Sequence, residues 1–170
     1  MSSMISDEQP TLSASARAEI DHWLKKFPPE QKRSVVEEAL TIVQKENGGW
    51  LTEALMDAVA DYLSIPRIAV YEVASFYSLY ELKPIGRHKI SLCTNISCKL
   101  RGASQIADHL CKRLGVQLGE TTADGKFTLR EVECLAACVN APVLQVNDTV
   151  YHEDLTADKV DTILASLDEE

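Results

Sequence analysis

The chain has 170 residues, 45% apolar and 25% charged, which is the length of one or two domains and the composition of an ordinary folded protein. Its formal net charge of -9 makes nucleic acid a poor partner, because duplex binding depends on Lys and Arg neutralising phosphates. No run approaches the ~18 apolar residues of a membrane-spanning helix, and residues 1–8 lack the basic and apolar stretches of a secretory signal. We therefore expect an intracellular protein without direct membrane insertion.

The N-terminal half predicts a polar, frayed segment over residues 1–11 and a small helical bundle over residues 12–84. Its first helix begins near Ser13 or Ser15 and is ended by Pro28-Pro29. A second helix begins at Pro29, a residue type that suits the first turn, and stops at Gly48-Gly49.

Two further helices complete the predicted bundle. The third begins near Thr52 and carries apolar residues at helical spacing. The tripeptide Ser64-Ile65-Pro66 predicts a break, with a new N-cap and a proline in the first turn of a fourth helix. That helix runs to about Ser75.

The pattern changes at residues 83–86, which contain a proline and a glycine and mark a boundary. Residues 88–93 and 127–132 alternate apolar and polar side chains, as strands do. Between them, residues 102–114 predict a helix, and residues 115–125 predict a loop.

The chain ends with a predicted hairpin and a helix. Two short apolar strands flank Asn147-Asp148, which predicts a tight β-turn, and Thr156 caps a last helix. The order β-α-β-β-α is the core of a thioredoxin-like fold. The predicted class is thus α+β, a helical bundle followed by a thioredoxin-like domain over residues 85–170.

Four cysteines form the main candidate site. Cys93 and Cys98 follow the first predicted strand, and Cys134 and Cys138 follow the second. Four thiolates in two loops at one sheet edge suit a [2Fe–2S] cluster, with spacings of C-x4-C and C-x3-C that give slack to wrap more than one ion. A tetrahedral zinc site more often uses C-x2-C, and a redox disulfide usually needs C-x-x-C, so both remain weaker alternatives.

The remaining cysteine and the four histidines are expected to lie outside the site. Cys111 is predicted to pack on a helix as a small apolar residue. The histidines are scattered and none pairs with a cysteine as in a Rieske centre, so each is predicted to be a surface or packing residue; they are His22, His88, His109 and His152.

The charge distribution fits an anionic centre in this part of the chain. Residues 87–147, which hold all five cysteines, carry 8 basic and 5 acidic residues, whereas residues 148–170 carry 1 and 8. Lys99 and Arg101, just past Cys98, are positioned to offset the negative charge of a thiolate-bound cluster. No G-x-G-x-x-G or G-x4-G-K-[ST] motif is present, so a partner must hold any flavin or nucleotide.

Four motifs, in order, resemble one family. They are Val73-Ala74-Ser75-Phe76-Tyr77, then Gly86-Arg87-His88, then Cys93-Thr94-x-x-x-Cys98, and then residues 133–142, Glu-Cys-Leu-Ala-Ala-Cys-Val-Asn-Ala-Pro. Together they resemble the 24-kDa subunit family of respiratory complex I, the NADH:quinone oxidoreductase. The resemblance covers about residues 12–165.

The resemblance implies a thioredoxin-like [2Fe–2S] ferredoxin domain whose ligands are Cys93, Cys98, Cys134 and Cys138. It implies a one-electron carrier with no nucleotide site of its own, which exchanges electrons with FMN on the flavoprotein subunit that oxidises NADH. It also implies a peripheral place on the cytoplasmic face of the inner membrane, or on the matrix side in a eukaryote. Related subunits serve NAD-reducing hydrogenases and NAD-dependent formate dehydrogenases, which is the nearest alternative.

Two details of the resemblance carry structural predictions. The family usually reads C-L-G-x-C, whereas Ala136 stands here in place of the glycine, which is tolerable at a negative φ and costly at a positive one. Ala141-Pro142 stands where thioredoxin-like folds often place a cis-proline. Four aromatic residues lie within ten positions, namely Tyr71, Phe76, Tyr77 and Tyr80. They predict a contact with the flavin subunit, a bridge to the ferredoxin domain, or a closed bundle core.

Overall fold

A computed structural model describes residues 11–169 of the chain. The segment expected to be frayed, residues 1–11, lies outside this range except for Thr11. The chain divides into two compact units between Pro84 and Ile85. Within the described residues, no helix has the length and apolar character needed to cross a bilayer.

The first unit is helical. Over residues 11–84, short turns join four α-helices: α1 (Ala14–Leu24), α2 (Val36–Glu46), α3 (Glu53–Leu63) and α4 (Arg67–Phe76). A 3-10 helix at Pro29–Val35 precedes α2. Ser13 and Thr52 cap α1 and α3, since their hydroxyls accept from the backbone N–H groups of Ala16 and Leu55.

Two sequence predictions for this unit are wrong in detail. The second helix is not continuous from Pro29, because Gln31 adopts a non-helical φ of -106° and ψ of 36° and the first stretch closes as a 3-10 helix. Ser64 does not open α4. It ends α3 in the left-handed conformation, with φ of 55°, and Pro66 precedes α4 without a side-chain cap.

The bundle has its own apolar core. Its fully buried side chains come from all four α-helices and include Ile20, Leu40, Leu63 and Val70. Tyr80, 4% exposed, closes this core beyond α4 and donates its hydroxyl to the carbonyl oxygen of Glu37 at 2.7 Å. Burying these apolar surfaces is what stabilises helices too short to persist alone.

The second unit contains a four-stranded sheet with the order β2-β1-β3-β4. The strands are β1 (His88–Cys93), β2 (Phe127–Val132), β3 (Leu144–Val146) and β4 (Val150–His152). β1 pairs in parallel with β2 and antiparallel with β3, and β3 pairs antiparallel with β4. The predicted bounds of β1 and β2 are confirmed.

Three helices accompany the sheet: α5 (Ile96–Leu100), α6 (Ala103–Leu114) and α7 (Ala157–Asp168). Apolar side chains of α6 and α7 pack with those of the strands in one core, which includes Ile90, Leu110 and Leu164. The predicted last helix and its Thr156 cap are confirmed, since the Thr156 hydroxyl accepts from the Lys159 backbone N–H. The sequence did not predict α5.

The sheet depends on two local backbone conformations, one in the β3–β4 turn and one before β1. Asn147 and Asp148 have φ of 49° and 58°, as a type I′ hairpin turn requires, which confirms the predicted turn. At the opposite end of β1, a side chain on Gly86 would place its Cβ 2.8 Å from the carbonyl carbon of Lys126. Glycine is therefore required just before β1, because any side chain there would collide with the backbone that leads into β2.

Candidate metal centre

The sheet topology brings the two cysteine loops together. Cys93 is the last residue of β1, and its register partner on β2 is Val132, two residues before Cys134. Because β1 and β2 are parallel, their carboxyl ends meet at the same edge of the sheet. The first cysteine loop (residues 93–98) and the second cysteine loop (residues 134–138) therefore follow neighbouring strand ends.

The first cysteine loop is buried and regular. Cys93 and Cys98 are each 2% exposed and share a small apolar cluster with Ala103 and Ala141. The turn of helix α5 carries Cys98 back toward Cys93. Asn95 starts that helix, since its side-chain oxygen accepts from the Ile96 backbone N–H at 2.7 Å.

The second cysteine loop is exposed and irregular. Cys134 and Cys138 are both exposed, and Cys138 begins a single 3-10 turn that ends at Asn140. Ala136 adopts a left-handed φ of 58°, which is the costly case for the alanine that replaces the family glycine. In this conformation its backbone N–H points at the Cys134 sulfur, 3.2 Å away.

Backbone hydrogen bonds hold the first cysteine loop against the end of β2 and against the segment that leads into β3. The N–H of Cys93 donates to the carbonyl of Val143 at 3.1 Å, and the N–H of Thr94 donates to the carbonyl of Val132 at 3.2 Å. The Cys93 sulfur lies 3.9 Å from the carbonyl oxygen of Glu133. The Ala141–Pro142 bond just before Val143 is cis, as predicted.

The sulfur atoms interact electrostatically as well. Burial, then the hydrogen bond and charge of Cys93, raises the pKa of the Cys98 thiol to about 11, and the charge of Cys138 acts in the same direction. The backbone N–H of Val143 opposes this increase in the pKa. The Cys98 thiol therefore favours the protonated state, and a bound cation would reverse this preference by stabilising the thiolate.

The donor set suits an iron–sulfur cluster. A [2Fe–2S] centre takes four cysteine sulfurs, and the two adjoining loops of this chain contain four cysteines. The pairs are spaced by four and three intervening residues, and one of them spans a helical turn, so the loops have room to surround more than one ion. This spacing favours the cluster over the mononuclear zinc site, which more often uses two intervening residues.

The residues expected outside the site lie elsewhere in the fold. Cys111 sits half-buried on α6, against the apolar core of the sheet. His109 faces Asp161 on α7 at 2.8 Å, and His88 packs against Phe127 with a centroid distance of 5.6 Å. Both histidines are surface or packing residues, as predicted.

Asn95 has a structural role in this site that the sequence did not predict. The available signal was an Asn followed by an apolar residue, the pattern of a helix start, inside a stretch interpreted as a loop. Arg101 was recognised for its charge alone. In the structure it ends α5, and its backbone N–H donates to the carbonyl oxygens of Ser97 and Cys98.

Comparison with known proteins identifies the family. The model of the family described as thioredoxin-like [2Fe–2S] ferredoxin matches residues 20–168. The chain is 50% identical over 144 residues to the E subunit of NADH-quinone oxidoreductase from Rickettsia conorii, covering 85% of this chain and 86% of that protein. It is 44% identical over 138 residues to a mitochondrial protein of Dictyostelium discoideum, NADH dehydrogenase [ubiquinone] flavoprotein 2, covering 81% of this chain and 56% of that one.

A solved structure supports the fold. A chain of an NAD+-reducing [NiFe]-hydrogenase in the air-oxidised state is similar with a TM-score of 0.66 and 21% identity, covering 76% of this chain and 23% of that one. At this identity the likeness shows the fold alone, so the hydrogenase alternative gains no functional support from it. The predicted α+β class is confirmed, with a helical unit followed by a thioredoxin-like one.

These matches cover most of the chain and agree with the motifs and with the site. The relatives are subunits of an oxidoreductase complex, and the family model implies one [2Fe–2S] cluster as the cofactor. The chain belongs to the thioredoxin-like [2Fe–2S] ferredoxin family and, within it, to the 24-kDa subunit family of NADH-quinone oxidoreductase.

Proposed function

We propose that Cys93, Cys98, Cys134 and Cys138 are the ligands of the single [2Fe–2S] cluster. The observation that carries this assignment is the parallel pairing of β1 and β2, which ends both strands at the same sheet edge and places the two cysteine loops side by side. When bound, the cluster takes up and returns one electron at a time.

The surrounding residues hold the sulfurs and control their environment. The first cysteine loop shields its pair from water, since Cys93 and Cys98 are 2% exposed. The backbone N–H of Ala136 donates to the Cys134 sulfur, and such hydrogen bonds stabilise negative charge on cluster ligands. The chain therefore supplies one dry side and one open side to the centre, and the open side is the route for electron exchange.

The proposed partner is the flavin subunit that oxidises NADH and holds the FMN. The names of the relatives place them in NADH-oxidising complexes. Three apolar side chains adjoining the cysteines are strongly exposed, namely Ile96 at 73%, Leu100 at 83% and Val139 at 88%. An exposed apolar rim of this kind is typical of a protein contact surface.

The helical unit contributes a second proposed contact with the same partner. Tyr80 and Tyr71 pack with the bundle core, so these two aromatic residues close the core, which is one of the interpretations drawn from the sequence. Phe76 and Tyr77 are 80% and 42% exposed at the end of α4 and stack edge to face. In this proposal residues 12–84 dock on the flavin subunit and residues 85–170 carry the cluster.

The chain then acts as a peripheral member of a membrane-bound complex, on the cytoplasmic face of the inner membrane or on the matrix side in a eukaryote. The support for this location is the identity of its relatives, which are subunits of NADH-quinone oxidoreductase.

The test combines the purified cluster-bearing chain with the flavin subunit under anaerobic conditions and adds NADH. We expect the electron paramagnetic resonance (EPR) signal of the reduced cluster to develop rapidly only when the flavin subunit is present. Val139→Asp is expected to slow this reduction, because it places a charge in the apolar rim. The matched control, Val150→Asp, changes a side chain that is 52% exposed on β4, and reduction should keep its rate.

Two outcomes would contradict the proposal. NADH reducing the chain at the same rate without the flavin subunit would remove the need for a partner. A loaded chain that stays oxidised beside an active flavin subunit would show that the two do not exchange electrons.

A further inference from the structure

Side-chain hydrogen bonds join the two cysteine loops at two places. Asn95 uses both ends of its amide: the oxygen caps α5, and the nitrogen donates to the carbonyl oxygen of Glu133 at 2.8 Å. Glu133 immediately precedes Cys134. A single side chain thus ties the start of the Cys98 helix to the start of the second cysteine loop.

The second connection lies at the opposite end of α5. The Arg101 Nε–H donates to the carbonyl oxygen of Ala141 at 3.3 Å, three residues after Cys138. Ala141 also belongs to the apolar cluster of Cys93 and Cys98 and is 1% exposed. Asn95 and Arg101 therefore bracket α5 on one side and the second cysteine loop on the other.

The hydrogen bonds of Asn95 and Arg101 differ from that of Thr94 in the kind of acceptor. Both are backbone carbonyls that flank Cys134 and Cys138, so each bond fixes the position of the second loop's main chain. Thr94 also reaches across, but its hydroxyl donates at 2.6 Å to the side chain of Glu131, which can move without shifting the loop. Lys99 is exposed on α5 between the two bracketing residues.

We infer that Asn95 and Arg101 form a two-point clamp that holds the first and second cysteine loops at the separation the cluster requires. They act as positioning residues, through the loops and not as ligands. This inference rests on the proposed ligand set. The second cysteine loop needs such a clamp because Ala136 is held there in an unfavourable left-handed conformation. The first cysteine loop needs it because helix α5 has only five residues.

The clamp predicts which variants loosen the cluster. Asn95→Ser keeps a good helix cap but is too short to reach Glu133. Arg101→Met keeps the aliphatic stem but removes the donor to Ala141. We expect iron release to an excess of chelator to accelerate about fivefold for Asn95→Ser and about tenfold for Arg101→Met, in line with the loss of a neutral and of a charged hydrogen bond.

The double variant and the controls sharpen the test. The double variant should release iron faster than either single variant, and its EPR signal should broaden, because the ligand geometry becomes heterogeneous. Arg101→Lys, which restores a charged donor, should return the line width and the release rate most of the way to those of the parent. Thr94→Val removes a side-chain hydrogen bond from the same segment to Glu131 on β2 and should match the parent.

The measurement is chelator-driven loss of visible absorption, together with EPR, on the full chain purified anaerobically with its cluster. A double variant that keeps the parental release rate and line width would overturn the clamp and leave the ligand set intact. Release that accelerates equally in Thr94→Val would also overturn it, since the effect would then be a general loosening of the segment. A Cys98→Ala variant that retains its cluster would instead overturn the ligand set.

Discussion

The two cysteine loops supply the same number of sulfurs in opposite ways. The first buries both of its cysteines, uses a capped helix and keeps ordinary backbone conformations. The second exposes both, contains Ala136 at a φ of 58°, and has one 3-10 turn as its only regular structure. The first loop is therefore part of the domain core and holds two of the proposed ligands in fixed positions, as a fixed half-site. The second loop lies on the surface, and its conformation depends on contacts with the first.

The largest expected effect is loss of the cluster when the fixed half-site is broken. Cys98→Ala removes a buried proposed ligand, and we expect the chain to lose its iron and its visible absorption completely. Cys111→Ala is the matched control, because it removes a half-buried cysteine that packs on α6 outside both loops. An absorption spectrum and iron content of Cys98→Ala equal to those of the control would contradict the assignment.

The next effect separates the loops by their exposure. In chain freed of metal, a thiol-alkylating reagent should modify Cys134 and Cys138 at least about tenfold faster than Cys93 and Cys98, because buried thiols react only after local opening. Peptide mapping by mass spectrometry at several times measures the order. Equal rates at all four positions would show that the first loop is not a preformed half-site.

The helical unit offers a reference that contains neither loop. Burial raises the pKa of Tyr80 to about 12, so the folded state keeps this proton above the ordinary tyrosine pKa of 10. The stabilisation is complete below pH 10 and is lost as the pH rises toward 12, with a magnitude on the order of 2 kcal/mol. Denaturant unfolding between pH 9 and 12 measures it.

The matching variant removes this sensitivity to alkali. Tyr80→Phe should flatten the decline in the free energy of unfolding above pH 10, at the cost of about 1 kcal/mol at neutral pH for the lost bond to Glu37. Tyr151→Phe, at a residue that is 48% exposed on β4, is the control and should leave the decline in place. A decline that persists in Tyr80→Phe would assign it to another group.

The smallest effect concerns the strained backbone of the second loop. Ala136→Gly should raise the free energy of unfolding by about 1 kcal/mol, because glycine adopts a positive φ without the Cβ penalty. Ala137→Gly is the matched control at a φ of -110°, where the same change only adds freedom to the unfolded chain and should destabilise slightly. Urea unfolding of both variants decides, and effects of the same sign would contradict the assigned strain.

The sequence allowed the sheet and the four proposed ligands to be predicted for clear physical reasons. Residues 88–93 and 127–132 alternate in hydropathy, and glycine or proline punctuation surrounds them, so their bounds were predicted correctly. The proximity of the two cysteine pairs follows from one rule, that loops following neighbouring parallel strands meet at the same edge of the sheet. The hairpin turn was equally readable, because Asn147 and Asp148 tolerate the positive φ angles they adopt.

The missed features depend on tertiary context. Helix α5 spans five residues, too few for a periodic pattern, and it persists because Asn95 caps it and Cys98 is buried beneath it. Ser64 has the residue type of an N-cap, yet it ends α3 in the left-handed conformation. The sequence did not determine whether the φ of Ala136 is negative or positive, and the structure shows that it is positive. The hydrogen bonds of Asn95 and Arg101 to distant carbonyls had no sequence signal.

The most direct test of the central claim, that both loops together hold one cluster, is an EPR spectrum of anaerobically purified chain before and after dithionite, with iron and sulfide assays. The account predicts an oxidised sample that is silent and red-brown. On reduction it should give a rhombic S = 1/2 signal with about two irons and two sulfides per chain, since two irons bridged by two sulfides make up the cluster. A colourless chain that contains zinc and no sulfide after anaerobic handling would contradict it.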